Sequence, residues 1–126
     1  MPDGRVLIAD DEDSLRWVLE KGFRGAGYQV TAVKDGTTAF AQIETGPFDL
    51  ILLDVRMPGM DGAAFARAYS RRRGPQAPIV VVSGFPGVRT EVDSAVAYFS
   101  KPFDIDRLLA VLRKLAPPPL STTPKP

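Results

Sequence analysis

The sequence predicts an α/β protein in which helices cover both faces of a doubly wound, five-stranded parallel sheet. Short apolar or β-branched runs alternate along the chain with segments whose apolar residues recur at helical spacing. The third and fourth runs are apolar almost throughout, which is typical of parallel strands buried on both faces. Parallel neighbours need a crossover connection, and the intervening helices supply one each time.

The apolar and β-branched runs predict the strands, and the helical spacing predicts the segments between them. We expect strands at residues 6–9, 28–33, 50–54, 79–83 and 98–101. We expect helices between residues 14 and 25, between 36 and 46, at roughly 62–72, around 90–96, and at 105–115. The fourth of these helices is unusually short.

Capping and turn residues predict the helix boundaries. Glu12–Ser14 supplies acidic and capping side chains for the amide donors exposed at the first helix start, and Gly25–Gly27 stops that helix. Asp35–Gly36 is expected to turn the chain, and glycine–proline pairs at 46–47 and 74–75 end the second and third helices.

The composition excludes several classes of site and partner. Of 126 residues, 44% are hydrophobic and 25% charged, so we expect one domain over residues 1–115 and a proline-rich tail or linker over 116–126. The absence of Cys and His excludes thiolate and imidazole metal sites and a Ser-His-Asp triad. A net charge of +1 gives no reason to expect nucleic acid. With no signal peptide and no membrane span predicted, a cytoplasmic protein is expected.

Acidic, hydroxyl and amine side chains stand at the ends of the predicted strands. Asp10 and Asp11 follow the first strand, Asp54 ends the third, Ser83 the fourth and Lys101 the fifth. Because the carboxyl ends of parallel strands share one edge of the sheet, we expect these residues to lie close together. Asp54 alone is equally consistent with an ordinary turn residue, but the pair after the first strand favours a functional site.

The predicted cluster has the chemistry of a phosphoryl-handling site. Two carboxylates about 4 Å apart repel each other by roughly 4 kcal/mol at an effective dielectric constant near 20, so three of them require a cation. Oxygen ligands without nitrogen or sulfur favour magnesium. With Lys101 and Ser83 beside the metal, Asp54 is the predicted nucleophile, and the paired Asp10 and Asp11 suit metal ligands.

These residues, in this order and spacing, resemble the receiver domain of bacterial two-component response regulators. The resemblance covers residues 4 to about 115 and rests on Ala9–Asp11, Asp54–Gly62, Val82–Ser83 and Lys101–Phe103. It implies the flavodoxin-like strand order 2-1-3-4-5. It also implies a phosphoacceptor signalling domain, not an enzyme beyond its own phosphorylation and dephosphorylation, that receives a phosphoryl group on Asp54 from a sensor histidine kinase.

The resemblance implies a metal-ligand set. Asp11 and Asp54 would bind Mg²⁺ directly together with the backbone carbonyl of Arg56, and Asp10 would act largely through water. Asp61 is expected to cap the third helix instead of touching the metal, since Asp is a favoured N-cap residue.

The resemblance also implies a switch that controls a partner or an output domain. Ser83 would hydrogen-bond the phosphoryl group, Lys101 would pair with it, and Tyr98 would turn inward as the hydroxyl moves. The Lys101–Pro102 peptide bond would be cis. Because fewer residues separate Ser83 from Lys101 than the family usually carries, we expect at most two turns in the fourth helix. Homodimer formation is left open.

Other interpretations of the sequence compete with that of a phosphorylatable receiver. A pseudo-receiver, which keeps the fold without the switch, is disfavoured by the complete residue set but favoured by the short fourth helix. A nucleotide hydrolase would need a glycine-rich loop with Gly-Lys-Ser/Thr, which this sequence lacks. A phosphatase of the haloacid dehalogenase type needs a second Asp where Arg56 stands. Ser14–Glu20 and Lys101–Asp106 further resemble receivers of nitrogen-regulation-type transcriptional activators.

Overall fold

The computed structural model describes residues 4–74, 76–84, 92, 94–101 and 103–115. These residues form five strands and four helices, labelled in chain order as β1 (Arg5–Ala9), α1 (Asp13–Gly25), β2 (Gln29–Val33), α2 (Gly36–Ile43), β3 (Leu50–Asp54), α3 (Gly62–Ser70), β4 (Ile79–Ser83), β5 (Ala97–Ser100) and α4 (Ile105–Leu115). The predicted α/β class is confirmed, and each strand begins and ends within about one residue of its expected position. None of the described helices is long and apolar enough to cross a lipid bilayer.

The five strands form one parallel sheet in the order β2-β1-β3-β4-β5. This is the order 2-1-3-4-5 implied by the resemblance. Strand β1 pairs with β2 on one side and with β3 on the other, which puts β3 at the centre of the sheet. Every residue of β3 and β4 is buried, which explains why both strands are continuous apolar runs.

Two hydrophobic layers cover the two faces of the sheet. Alternate strand residues point to opposite faces, so Ile51 and Leu53 pack on one side, and Leu50 and Leu52 on the other. The first layer is completed by α2 and α3, through residues such as Ala39, Ile43, Phe65 and Tyr69. The second layer is completed by α1 and α4, through Leu19, Phe23, Leu108 and Leu112. Four helices thereby hold the strand ends in place.

The start of α1 differs from its expected capping. Glu12 occupies the N-cap position with extended backbone, but its side chain accepts no capping hydrogen bond. Instead, Asp10 Oδ1 accepts a hydrogen bond from the backbone N–H of Glu12 at 2.9 Å. Glu12 therefore does not cap α1 through its side chain, whereas Asp13 supplies the expected acidic residue in the first turn.

Aspartate side chains cap the next two helices. Asp61 Oδ1 accepts a hydrogen bond from the N–H of Ala64 at 2.9 Å, which confirms its predicted cap on α3. Asp35, expected only to turn the chain, caps α2 by accepting from the N–H of Thr38 at 2.7 Å. Helix α3 ends at Ser70, two residues before its expected end, with Arg71 as the C-cap residue.

The segment between β4 and β5 differs from its predicted helix where it is described. Val92 and residues 94–96 are not helical: the N–H of Ala95 donates to Val92 O at 3.2 Å in a single turn, and the N–H of Val96 donates to Ile79 O at 2.8 Å. The remainder of the predicted helix, including residues 90, 91 and 93, lies outside the described residues, so its predicted length stays a prediction. Pro102, whose peptide bond was expected to be cis, and the tail 116–126 also lie outside them.

Candidate functional site

The candidate site lies where the parallel strands end. Asp54 closes β3 and is paired in register with Val82 of β4. Beyond the ladder, the N–H of Asp10 donates to Val33 O at 3.1 Å, and the N–H of Lys101 donates to Ser83 O at 2.8 Å. The backbone hydrogen bonds of the sheet thus carry Asp10, Asp54, Ser83 and Lys101 to the same edge, as parallel topology requires.

Three carboxylates meet at this edge. Asp10, Asp11 and Asp54 each present an oxygen, and these oxygens lie within 4.8 Å of one another. Asp10 and Asp54 are only 1% and 4% exposed, whereas Asp11 is exposed to solvent. Carboxylates this close, two of them buried, repel strongly, so the cluster is suited to a hard divalent cation.

Lys101 supplies the positive charge of the cluster. Its Nζ lies 3.0 Å from Asp10 Oδ2, 3.4 Å from Asp54 Oδ2 and 3.7 Å from Glu12 Oε1. Burial lowers the pKa of Lys101, but its contact with Asp10 and the charges of Asp10 and Asp54 raise that pKa above its usual value in total. The amine therefore stays protonated at neutral pH.

Asp54 is the carboxylate whose ionisation is most disturbed. Burial, followed by the charge of Asp10, raises the pKa of Asp54 to about 6. Lys101 and the backbone N–H of Arg56, which lies 3.4 Å from Asp54 Oδ1, oppose this rise. The charged form of Asp54 is thus only partly compensated by the protein itself.

The connection from β3 to α3 holds Asp54 tightly. The N–H of Gly62 donates to Val55 O at 2.9 Å. A Cβ atom at Gly62 would lie 2.6 Å from Asp54 O and 2.8 Å from Val55 Cα, so only glycine fits there without a shift of the backbone. The start of α3 therefore packs directly against the backbone of Asp54.

The other predicted site residues take different positions around the cluster. Ser83 is 2% exposed at the end of β4. Arg56 is exposed in the β3–α3 connection. Tyr98 is half-buried, packs against the α2–α3 side of the core, and donates its hydroxyl hydrogen bond to Val92 O at 2.6 Å. The structure thus brings the three aspartates and Lys101 together, with Ser83 on the adjoining strand end, while Tyr98 lies deeper in the sheet.

Two residues near the cluster were not predicted from the sequence. Glu12 lies 3.7 Å from Lys101, and Arg16 Nη1 donates to the backbone carbonyl of Asp10 at 2.8 Å. The spacing of Asp13 and Arg16 does indicate an ion pair on the helix surface, which the structure contains. No local pattern indicates that Arg16 also reaches back to the strand end.

Comparison with known proteins gives a consistent result. The family model of the response regulator receiver domain matches residues 6–113. The DNA-binding transcriptional regulator NtrC of Salmonella typhimurium is 34% identical over 122 residues, which cover 90% of this chain and 25% of that protein. The transcriptional regulatory protein ZraR of the same organism is 38% identical over 113 residues, covering 86% and 25%. The chain spans about a quarter of the length of these curated relatives.

A solved structure agrees in fold as well as in sequence. The crystal structure of response regulator protein TrrA from Thermotoga maritima in complex with Mg²⁺-BeF matches with a TM-score of 0.80 and 28% identity. The match covers 89% of this chain and 98% of the other. The resemblance to nitrogen-regulation-type activators is confirmed by the two curated relatives.

Proposed function

The chain belongs to the response regulator receiver domain family, and from this premise we propose that it accepts a phosphoryl group on Asp54 from the phosphohistidine of a sensor histidine kinase. The observation that carries the proposal is the geometry of the carboxyl edge. There, buried Asp54 lies 3.4 Å from the amine of Lys101 and within 4.8 Å of oxygens from Asp10 and Asp11. These are an acceptor, a charge partner and a cation site in one cluster.

Asp54 is favoured over Asp10 as the acceptor because its oxygens are less engaged. Asp10 Oδ1 accepts a hydrogen bond at 2.9 Å and Asp10 Oδ2 lies 3.0 Å from Lys101 Nζ, whereas both contacts of Asp54 are 3.4 Å long. In the reaction, an oxygen of Asp54 attacks phosphorus, a P–O bond forms, the P–N bond of the phosphohistidine breaks, and the imidazole leaves. Water later cleaves the acyl phosphate and restores the carboxylate.

The reaction is proposed to require Mg²⁺, and the residues present fit this ion. Asp10 Oδ2 is buried, and within the described part of the chain it has no hydrogen-bond partner beyond its ion-pair contact with Lys101 Nζ at 3.0 Å. Asp11, Asp54 and the backbone carbonyl of Arg56 would hold the ion, with Asp10 acting largely through water. When bound, Mg²⁺ neutralises charge on the transferred phosphoryl oxygens. The Mg²⁺-BeF complex of TrrA supports the assignment.

Phosphorylation is proposed to shift the domain between two states. It adds about −1.5 to −2 charge. The amine of Lys101 pairs with the phosphoryl group, and the hydroxyl of Ser83 forms a hydrogen bond with it. Tyr98 then gives up its hydrogen bond to Val92 and turns inward, which alters the surface beside β5. This change controls a partner protein or an output domain. In this proposal, residues 1–115 form the receiver and residues 116–126 form a linker. The protein acts in the cytoplasm.

The test is phosphorylation of purified protein by a small acyl phosphate in Mg²⁺. We expect Asp54→Ala to abolish incorporation of labelled phosphate, because Asp10 is held by the N–H of Glu12 and by Lys101, and Asp11 is a proposed ligand of the metal. Asp49→Asn is the matched control: its side chain accepts from the N–H of Arg5 at the opposite edge of the sheet, so labelling should persist. Stoichiometric labelling of the Asp54→Ala variant would overturn the proposal.

A further inference from the structure

Arg16 connects the end of β1 to the first turns of α1. Its side chain is 19% exposed, and Nη1 donates to the backbone carbonyl of Asp10 at 2.8 Å while Nη2 pairs with Asp13 Oδ1. Its own N–H donates to Glu12 O at 3.0 Å. One side chain therefore spans the short loop that carries Asp10 and Asp11.

Every polar atom of Asp10 has a defined contact. Its N–H donates to Val33, its Oδ1 accepts from the N–H of Glu12, and its Oδ2 faces Lys101. In the described part of the chain, the side-chain donor to its carbonyl is Arg16. That carbonyl belongs to the peptide joining Asp10 to Asp11, so its orientation determines how the second carboxylate leaves the loop.

We infer that Arg16 is a positioning residue for the cation site: through the Asp10 carbonyl it holds the Asp10–Asp11 peptide in the orientation that binds Mg²⁺. The inference rests on the proposed function, since it concerns the same site. Arg16 is not a ligand and does not touch the phosphoryl group. In other metal-binding proteins, residues that contact and orient the metal ligands play a similar role, and their loss typically weakens metal affinity about 10- to 100-fold.

Geometry and charge predict opposite effects of removing Arg16. The guanidinium charge repels a cation, so its loss alone would strengthen Mg²⁺ binding, although the ion pair with Asp13 already offsets part of this charge. Loss of the hydrogen bond to Asp10 would weaken Mg²⁺ binding. Arg16→Lys separates the two effects, because Lys keeps the charge but lacks the planar fork that reaches two acceptors at once.

The chain offers a matched control on the same helix. Arg24 also combines a carboxylate pair with a strand carbonyl, since its Nη2 lies 2.8 Å from Glu20 Oε2 and 3.2 Å from Val30 O. It lies at the opposite end of α1 from the cluster, and its side chain is 57% exposed. Arg24→Lys therefore removes a guanidinium that contacts a carboxylate and a strand carbonyl, although both of its contacts come from Nη2, and it leaves the Asp10–Asp11 loop untouched.

The experiment is a calorimetric titration of Mg²⁺ into the wild-type protein and the variants. We expect Arg16→Lys to raise the dissociation constant of Mg²⁺ about 3- to 10-fold. This effect is smaller than that of residues that contact the side chain of a metal ligand, because Arg16 contacts only a peptide carbonyl. Acyl-phosphate labelling should need a correspondingly higher Mg²⁺ concentration and reach the same maximum. Arg24→Lys should leave the dissociation constant unchanged. Arg16→Gln should also bind more weakly, since geometry is expected to outweigh charge.

The outcomes separate this inference from the proposed function. A wild-type dissociation constant in Arg16→Lys, an equal rise in Arg24→Lys, or tighter binding in Arg16→Gln would overturn the role of Arg16 and leave the phosphoacceptor site standing. A merely structural role would lower the metal-free melting temperature without moving the Mg²⁺ midpoint, and that result would also overturn the inference. Absence of Mg²⁺ binding by the wild-type protein would overturn the proposed metal site itself.

Discussion

At the scale of single residues, Asp54 is destabilising as long as its charge is uncompensated. The pKa of Asp54 rises from 3.8 to about 6 on folding, chiefly through burial and then through the charge of Asp10. The folded protein therefore binds a proton below about pH 6, whereas the unfolded chain binds it only below about pH 4. The free energy of unfolding falls as pH rises through this window, by about 1–3 kcal/mol from this group once solvent screening is included.

Asp54→Asn should therefore stabilise the metal-free protein at neutral pH. In the presence of a chelator, we expect the free energy of unfolding to rise by about 1–3 kcal/mol at neutral pH. The lower part of this range is expected, because Lys101 loses a charge partner in the variant. The gain should shrink as pH falls below about 6 and vanish near pH 4. Urea unfolding at several pH values measures this, with Asp49→Asn as the control. Equal or lower stability of Asp54→Asn at neutral pH would contradict the assigned cause.

At the scale of elements, the helix starts determine how accurately the strand ends are held. Aspartates cap α2 and α3. The start of α3 packs on the backbone of Asp54 so closely that the position of Gly62 has no room for a side chain. The sequence predicted the strands closely because buried parallel strands are continuous apolar runs. It predicted the start of α1 less well, since the Glu12 side chain makes no capping hydrogen bond and Asp10, just beyond the end of β1, accepts from the Glu12 N–H.

Gly62→Ala should therefore damage both stability and the site. A methyl group there would meet Asp54 O and Val55 Cα, so we expect a loss of about 1–3 kcal/mol in the free energy of unfolding and slower acyl-phosphate labelling. Gly25→Ala is the control, because a Cβ atom at Gly25 meets nothing within 4 Å and the helix end tolerates alanine. Denaturant unfolding and labelling rates measure both variants. Similar behaviour of the two would show that the contact at α3 does not constrain Asp54.

At the scale of the whole molecule, the strand order builds the site. Because β3 lies between β1 and β4, and β5 adjoins β4, residues from the start and the end of the chain meet around Asp54. The proposed cation site therefore exists only in the folded state, since Asp54 is remote in sequence from Asp10 and Asp11. A ligand of such a site stabilises the fold by mass action.

Millimolar Mg²⁺ should accordingly raise the melting temperature. At ten times its dissociation constant the ion would add about 1.4 kcal/mol to the free energy of unfolding, a shift of roughly 4–6 °C for a domain of this size. Asp11→Asn should reduce the shift strongly, because exposed Asp11 is a proposed direct ligand. Scans use NaCl of equal ionic strength as the reference. An unchanged melting temperature in Mg²⁺, or an equal shift in Asp11→Asn, would contradict the metal assignment.

The sequence by itself determined the α/β class, the strand positions and the kinds of side chain at the strand ends, because periodicity and composition are local properties of the chain. The strand order was predicted only through resemblance to a family. The tertiary structure decided the raised pKa of Asp54, the close approach of Gly62 and the reach of Arg16 to Asp10. Each of these depends on distances between packed elements and on exclusion of water, and no local pattern of residues encodes those distances.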